Sequence, residues 1–254
     1  MTQHALAPGD SARPGAVTYV VSCGLDIGFD IASGLCGTGA TVAWMTDARQ
    51  AAEAPVARGI TRITTRFDSR ASMEAAFRQA AERVGPADQV VHSAIPLVAI
   101  EPRELATMAD EDWSSACHAA MKATLYCLQA AHAQMAARGG SIVVLGPSLS
   151  LAGAAGLVAL STAAEGQRGL VKSSARQWGS RGLTVNWIAL APVSLAPVLS
   201  RTDLPLKPDP VPVALARRPA VSEVLPLIEF LASSAGRSMT GATLMLDGGE
   251  WMVP

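Results

Sequence analysis

The chain reads as a single α/β domain, a doubly wound parallel sheet of Rossmann type with helices on both faces in three α/β/α layers. Segments 17–22, 41–46, 89–93 and 141–146 are short, rich in β-branched residues and apolar without alternation, the pattern of strands covered on both faces. Longer stretches with apolar residues at helical spacing separate them. That alternation calls for crossover connections and hence parallel strands. With 254 residues, half of them hydrophobic and only 16% charged, the chain can bury one large core.

Residues 1–16 are rich in Ala, Pro, Gly and Ser and predict a loose tail, leaving 17–254 as the domain. The first strand, 17–22, stops at small residues. A helix follows over 26–37, then strands at 41–46 and 60–66. A helix over 71–84 shows clear helical spacing, and 89–93 is a short buried strand. Segment 112–137 is a long Ala-rich helix, and 141–146 a strand. A second long helix, 156–178, is poor in large side chains. The remaining elements are a strand at 183–189, a helix over 221–232 and a strand at 243–246. The Pro-rich stretch 191–219 is too long for an ordinary connection. Beyond the C-terminal end of a strand in such a sheet, a loop of this kind covers the ligand crevice.

A net charge of −1 gives no basic surplus for nucleic acid and no acidic tail. No apolar run reaches the roughly 18 residues of a membrane span, and no secretory signal pattern opens the chain. Cys23, Cys36, Cys117 and Cys127 form no C-x-x-C pair and no metal spacing. They read as reduced thiols of a cytoplasmic protein. His4, His92, His118 and His132 are scattered and read as satisfied or exposed side chains, with no metal site.

Three stretches give the chain a family likeness. They are Val185-Asn186-Trp187-Ile188-Ala189; Phe230-Leu231-Ala232-Ser233 with Thr240-Gly241-Ala242 and Asp247-Gly248-Gly249; and Asp88-Gln89-Val90-Val91. They resemble the V-N-x-I-x strand, the F-L-A-S…T-G…D-G-G ending and the strand before the N-N-A-G motif of the short-chain dehydrogenase/reductases. The likeness runs over nearly the whole domain. It implies a nicotinamide-dependent oxidoreductase scaffold.

The family's chemistry is missing from the positions that would carry it. Where the family has Tyr-x-x-x-Lys, this chain has Leu160 and Ala164. The family's Ser falls on Pro147, with Ser148 and Ser150 as neighbours, and its helix Asn falls on Ala120. Only two tyrosines occur, Tyr19 and Tyr126, and three lysines, Lys122, Lys172 and Lys207. None lies in the segment. Hydride transfer at a carbinol carbon needs a group to handle the hydroxyl proton and a donor to hold the oxygen. Leu and Ala can do neither, so no catalytic residue is expected.

The cofactor turn is degenerate too. The family's T-G-x-x-x-G-x-G appears as Val21-Ser22-Cys23-Gly24-Leu25-Asp26-Ile27-Gly28, and only Gly28 keeps its register. Those glycines let backbone N–H groups approach a pyrophosphate. Asp26 is expected to cap the helix instead, filling the anion site and repelling a phosphate. N-N-A-G appears as His92-Ser93-Ala94-Ile95, and the family's P-G as Leu190-Ala191, with Pro192 displaced. The ribose-holding acid belongs near Thr46 or Asp47, where Asp47 reads as a solvated loop residue. No cofactor is expected in this chain.

The resemblance implies one kind of role for such a scaffold, that of a non-catalytic subunit beside an active, NAD-binding relative. Heteromeric members such as 2-[hydroxy(phenyl)methyl]succinyl-CoA dehydrogenase are of this type. A hetero-tetramer would form through helices 112–137 and 156–178 and the last strand. Ala159, Ala163 and Ala164 are expected to allow close helix approach there, or else to pack inside one subunit. Two alternatives stay open. One is an enzyme with repurposed chemistry, similar to halohydrin dehalogenases, with His92 and His118 as new acid–base groups. The other is a small-molecule binding protein using the emptied crevice.

Overall fold

A computed structural model of the chain describes residues 15–24, 27–55, 58–195 and 213–252. Seven strands form one parallel sheet in the order β3-β2-β1-β4-β5-β6-β7. They are β1 (Val17–Gly24), β2 (Thr41–Thr46), β3 (Ile60–Thr64), β4 (Gln89–Ile95), β5 (Gly140–Pro147), β6 (Leu183–Leu190) and β7 (Thr243–Leu246). The order reverses between β1 and β4. In a doubly wound sheet that switch opens a crevice at the C-terminal strand ends.

The helices are α1 (Gly28–Gly37), α2 (Ala48–Glu53), α3 (Arg70–Val84), α4 (Asp110–Trp113), α5 (Ala119–Met135), α6 (Val158–Trp178), α7 (Pro192–Leu195) and α8 (Leu225–Ala232). Alternation along each strand divides the core in two. Val20, Trp44, Val91 and Val143 pack with Ile31 and Leu35 of α1 and Ile228 of α8. Tyr19, Met45, Val90 and Ile142 pack with Phe77 of α3, Leu128 of α5 and Val171 of α6. Each such side chain withdrawn from water contributes about 1.5–3 kcal/mol, which is what fixes the strand register.

Local chemistry sets the helix ends. Ser69 caps α3 by accepting from the Ser72 N–H at 3.3 Å. α6 starts at Val158, not 156, because Gly156 sits at φ 76°, outside helical space. The expected helix 112–137 begins earlier and is interrupted by a wide π-type turn at Ser114–His118. That turn puts residues five apart on one face, and the Trp113 indole N–H donates to His118 Nε2 at 3.1 Å. α2 was not expected. Its signal is Asp47 followed three residues on by Gln50, a capping pattern. The 221–232 helix is a short 3-10 turn, Val221–Glu223, followed by α8. The 1–16 tail lies outside the described residues except for Gly15 and Ala16, as does 196–212 of the Pro-rich stretch.

Small residues of α6 pack within the subunit. Ala159, Ala163 and Ala164 are all buried in its core. Of the two arrangements the sequence left open for them, this is packing inside one subunit. Gly166 does the same work between α5 and α6, since a Cβ there would lie 2.5 Å from the Met121 sulfur. No described helix is long and apolar enough to cross a membrane.

Candidate functional site

β1 and β4 run further than the sequence indicated, to Gly24 and Ile95, and are paired to their last residues. Gly24 is forced by this approach. A Cβ on it would fall 1.7 Å from the Ile95 carbonyl oxygen, and its φ is 87°. Only three residues then join β1 to α1. Ile27 holds the cap position of α1 and makes no side-chain cap bond. Asp26, expected as that cap, lies outside the described residues with Leu25.

Asp47 takes over part of the turn. One carboxylate oxygen accepts from the Gln50 N–H at 2.9 Å and caps α2, and the other accepts from the Gly24 N–H at 3.2 Å. It is half-buried, not a solvated loop residue, which corrects the reading from sequence. The Gly24 carbonyl is covered in turn, accepting from the Arg49 guanidinium at 2.9 Å and the Gln50 amide at 2.6 Å. Beside these groups lies a cavity of about 820 Å³, lined among others by Asp47, Arg49, Arg66, Phe67, Leu97 and Ala123.

The four aligned catalytic positions are buried. Leu160 is 3% exposed and Ala120 2%, and both belong to one apolar cluster with Leu149, Leu157, Leu190 and Leu195. Ala164, 1% exposed, packs in the core with Val171 and Ala175 of the same helix. Pro147 ends β5 and leads into the 3-10 turn Ser148–Leu151. The Ser148 hydroxyl is fully buried and has no hydrogen-bond partner among the described residues. Ser150 is close to both the Pro147 carbonyl at 3.1 Å and the Glu165 carboxylate at 2.9 Å.

Under this apolar cluster runs a buried polar chain. His92 Nδ1 lies 2.9 Å from the Val21 carbonyl, which can only accept, so Nδ1 carries the proton. Nε2 then accepts from the Thr124 hydroxyl at 3.0 Å, and Thr124 accepts from the Gln167 amide at 2.9 Å. Gln167 also donates towards the Ala94 and Ala120 carbonyls. Burial pushes the His92 imidazole down to about 4, so it stays neutral. His92 therefore joins β1, β4, α5 and α6 and has no free edge for acid–base work. His118 is exposed and bonded to Trp113. The structure does not bring the two histidines together.

The remaining turn positions are absorbed into packing. The Ser22 hydroxyl accepts from the Trp44 indole at 2.9 Å, deep in the core. Ser93 is buried without a partner among the described residues. Tyr19 is far from the crevice, where its hydroxyl donates to the Gly85 carbonyl at 2.7 Å and burial pushes it up to about 12. Lys122 and Lys172 are exposed on α5 and α6, and Lys207 lies outside the described residues. None of the four cysteines forms a disulfide among the described residues. Among the described residues no cluster of His, Cys, Asp and Glu could hold a metal.

A family model described as enoyl-(acyl carrier protein) reductase, one of the short-chain dehydrogenase/reductase models, matches residues 25–250. The chain belongs to the short-chain dehydrogenase/reductase superfamily. A solved short-chain dehydrogenase/reductase from Serratia marcescens is 24% identical, with a TM-score of 0.78 over 94% of this chain and 99% of that one. A Brucella melitensis structure titled ribose-5-phosphate isomerase is 28% identical, with a TM-score of 0.81 over 94% of this chain and 93% of that one. No curated protein matches. These likenesses fix the superfamily and fold of this short-chain dehydrogenase/reductase chain.

Proposed function

We propose that this short-chain dehydrogenase/reductase chain is a non-catalytic subunit that supports an active, NAD-binding relative in a hetero-oligomer. One observation carries the reading. The positions that should hold and deprotonate a substrate hydroxyl are Ala120, Pro147, Leu160 and Ala164, sealed into the core without a polar atom able to act. Loss of general acid–base help alone lowers such a rate about 10²–10⁴-fold, and loss of the oxygen-holding donor lowers it further.

We infer also that a nicotinamide dinucleotide does not fit this chain in the family's pose. The Gly24 N–H is already held by Asp47, and its carbonyl is covered by Arg49 and Gln50. Leu149, Leu157, Leu160, Leu190 and Leu195 fill the region of the reacting centre. Two outer surfaces support assembly. The outer face of α5 exposes Leu125, α8 exposes Phe230, and the edge strand β7 is half-exposed. A second reading has one observation in its favour. The cavity beside Asp47 is of small-molecule size, which suits a binding protein using what is left of the crevice.

The test is to purify the tagged chain from its own cells and identify what comes with it. A stoichiometric short-chain dehydrogenase that retains Tyr-x-x-x-Lys supports the subunit reading. A homo-oligomer free of any such protein contradicts it.

A further inference from the structure

The cavity beside Asp47 has further walls, supplied by α3 and α5. Deeper along these helices, Phe77 of α3 and Leu128 of α5 are buried against the strands and fill the space. Nearer the strand ends the bordering residues are Ala75 and Ala76 of α3 and Ala119 and Ala123 of α5. Methyl groups cannot close a gap that larger side chains close below, so a slot stays open. Its floor is the small cluster of Cys23, Ala94 and Ala123, and the Phe67 side chain packs against that cluster.

These walls are within reach of a ligand. Leu97 is 39% exposed and Phe67 is half-buried, so both present apolar surface to the cavity. Gln79 of α3 is also half-buried on the lining, and its amide is in no hydrogen bond with a described residue. That amide can both donate and accept. The charged groups on the lining are already matched. Arg49 pairs with Glu53 at 2.7 Å, and Arg66 with Asp68 at 2.8 Å. Both carboxylate oxygens of Asp47 accept backbone N–H groups. A charged ligand would meet guanidinium and carboxylate together and gain little from either. What the cavity offers is apolar burial, an aromatic ring to pack on and one uncharged polar group.

We propose that this cavity binds an uncharged aromatic molecule of one or two rings that carries an amide or hydroxyl, with its ring against Phe67 and Leu97 and its polar group on Gln79. The proposal rests on the binding-protein reading of the crevice and names the ligand class.

The full chain is titrated with cinnamamide and tryptophol, with cinnamate as a charged probe and adenosine as a nucleoside probe. Calorimetry and saturation-transfer NMR report binding, with Ala75→Leu and Gln79→Ala run in parallel. Ala75 is exposed and Gln79 half-buried, and Leu and Ala are strong helix formers, so α3 is retained. At least one of the two uncharged aromatic probes should bind saturably and more tightly than cinnamate or adenosine. Ala75→Leu fills the slot and should weaken that binding about tenfold or more. Gln79→Ala removes one hydrogen bond and should weaken it about three- to tenfold. Tighter binding of cinnamate or adenosine, lost in Ala75→Leu, overturns the ligand class and leaves the binding-protein reading standing. Affinity unchanged in either variant overturns the placement proposed. No saturable binding of any probe overturns the proposal and removes the support for that reading.

Discussion

Replacing His92 by Asn should flatten the acid limb of the stability curve. In the folded chain the imidazole is held near 4 by burial, against 6.5 as its ordinary value. Between those values the unfolded chain takes up a proton that the folded chain refuses. The folded pKa is depressed, so the contribution of neutral His92 is complete above 6.5 and is lost as pH falls towards 4. Each pKa unit is worth about 1.4 kcal/mol, so the whole window amounts to about 3 kcal/mol. Urea unfolding of wild type and His92→Asn across a pH series measures it. Groups common to both proteins cancel in the difference. Wild-type stability relative to His92→Asn should decline by about 2–3 kcal/mol from about pH 7 to about pH 4.5. A difference that does not change with pH would mean that His92 is solvated or paired with a charge in the folded state.

Thr124→Val leaves His92 Nε2 without a partner, while the Gln167 amide keeps the Ala94 and Ala120 carbonyls, and should cost about 1–3 kcal/mol in the same urea assay. Gly24→Ala places a methyl group against the Ile95 carbonyl at an unfavourable positive φ, so a loss of about 2 kcal/mol or more is expected by thermal or urea unfolding. Restoring the motif with Leu160→Tyr and Ala164→Lys should give no NADH-dependent turnover of ketone substrates by spectrophotometry. It should also lower stability, because the new ammonium would sit at a position 1% exposed.

Strand and helix placement was legible because it follows hydrophobic periodicity, which burial enforces. β2 and β7 fall where the pattern puts them, and the parallel order follows from the crossovers. Errors gathered where polar side chains act on the backbone. Asp47 looked like a solvated turn residue because its second partner, the Gly24 N–H, lies on another strand. Periodicity is blind to such a contact, though the Asp47–Gln50 spacing announced the cap. His92 was legible as a changed motif residue, but its neutral tautomer depends on Val21 and Thr124, which only the fold brings near. The alanines of α6 illustrate the reverse failure. Small residues permit close approach to any neighbour, and their spacing does not say whether that neighbour is the chain's own sheet or another subunit.

We propose that this chain, alone, has no working nicotinamide site. Calorimetric titration of the purified full-length chain with NADH tests it most directly. No saturable heat is expected in the micromolar range, because the Gly24 N–H is held by Asp47, its carbonyl is covered by Arg49 and Gln50, and Leu149, Leu157, Leu160, Leu190 and Leu195 pack into one apolar cluster. Micromolar, stoichiometric NADH binding would contradict it.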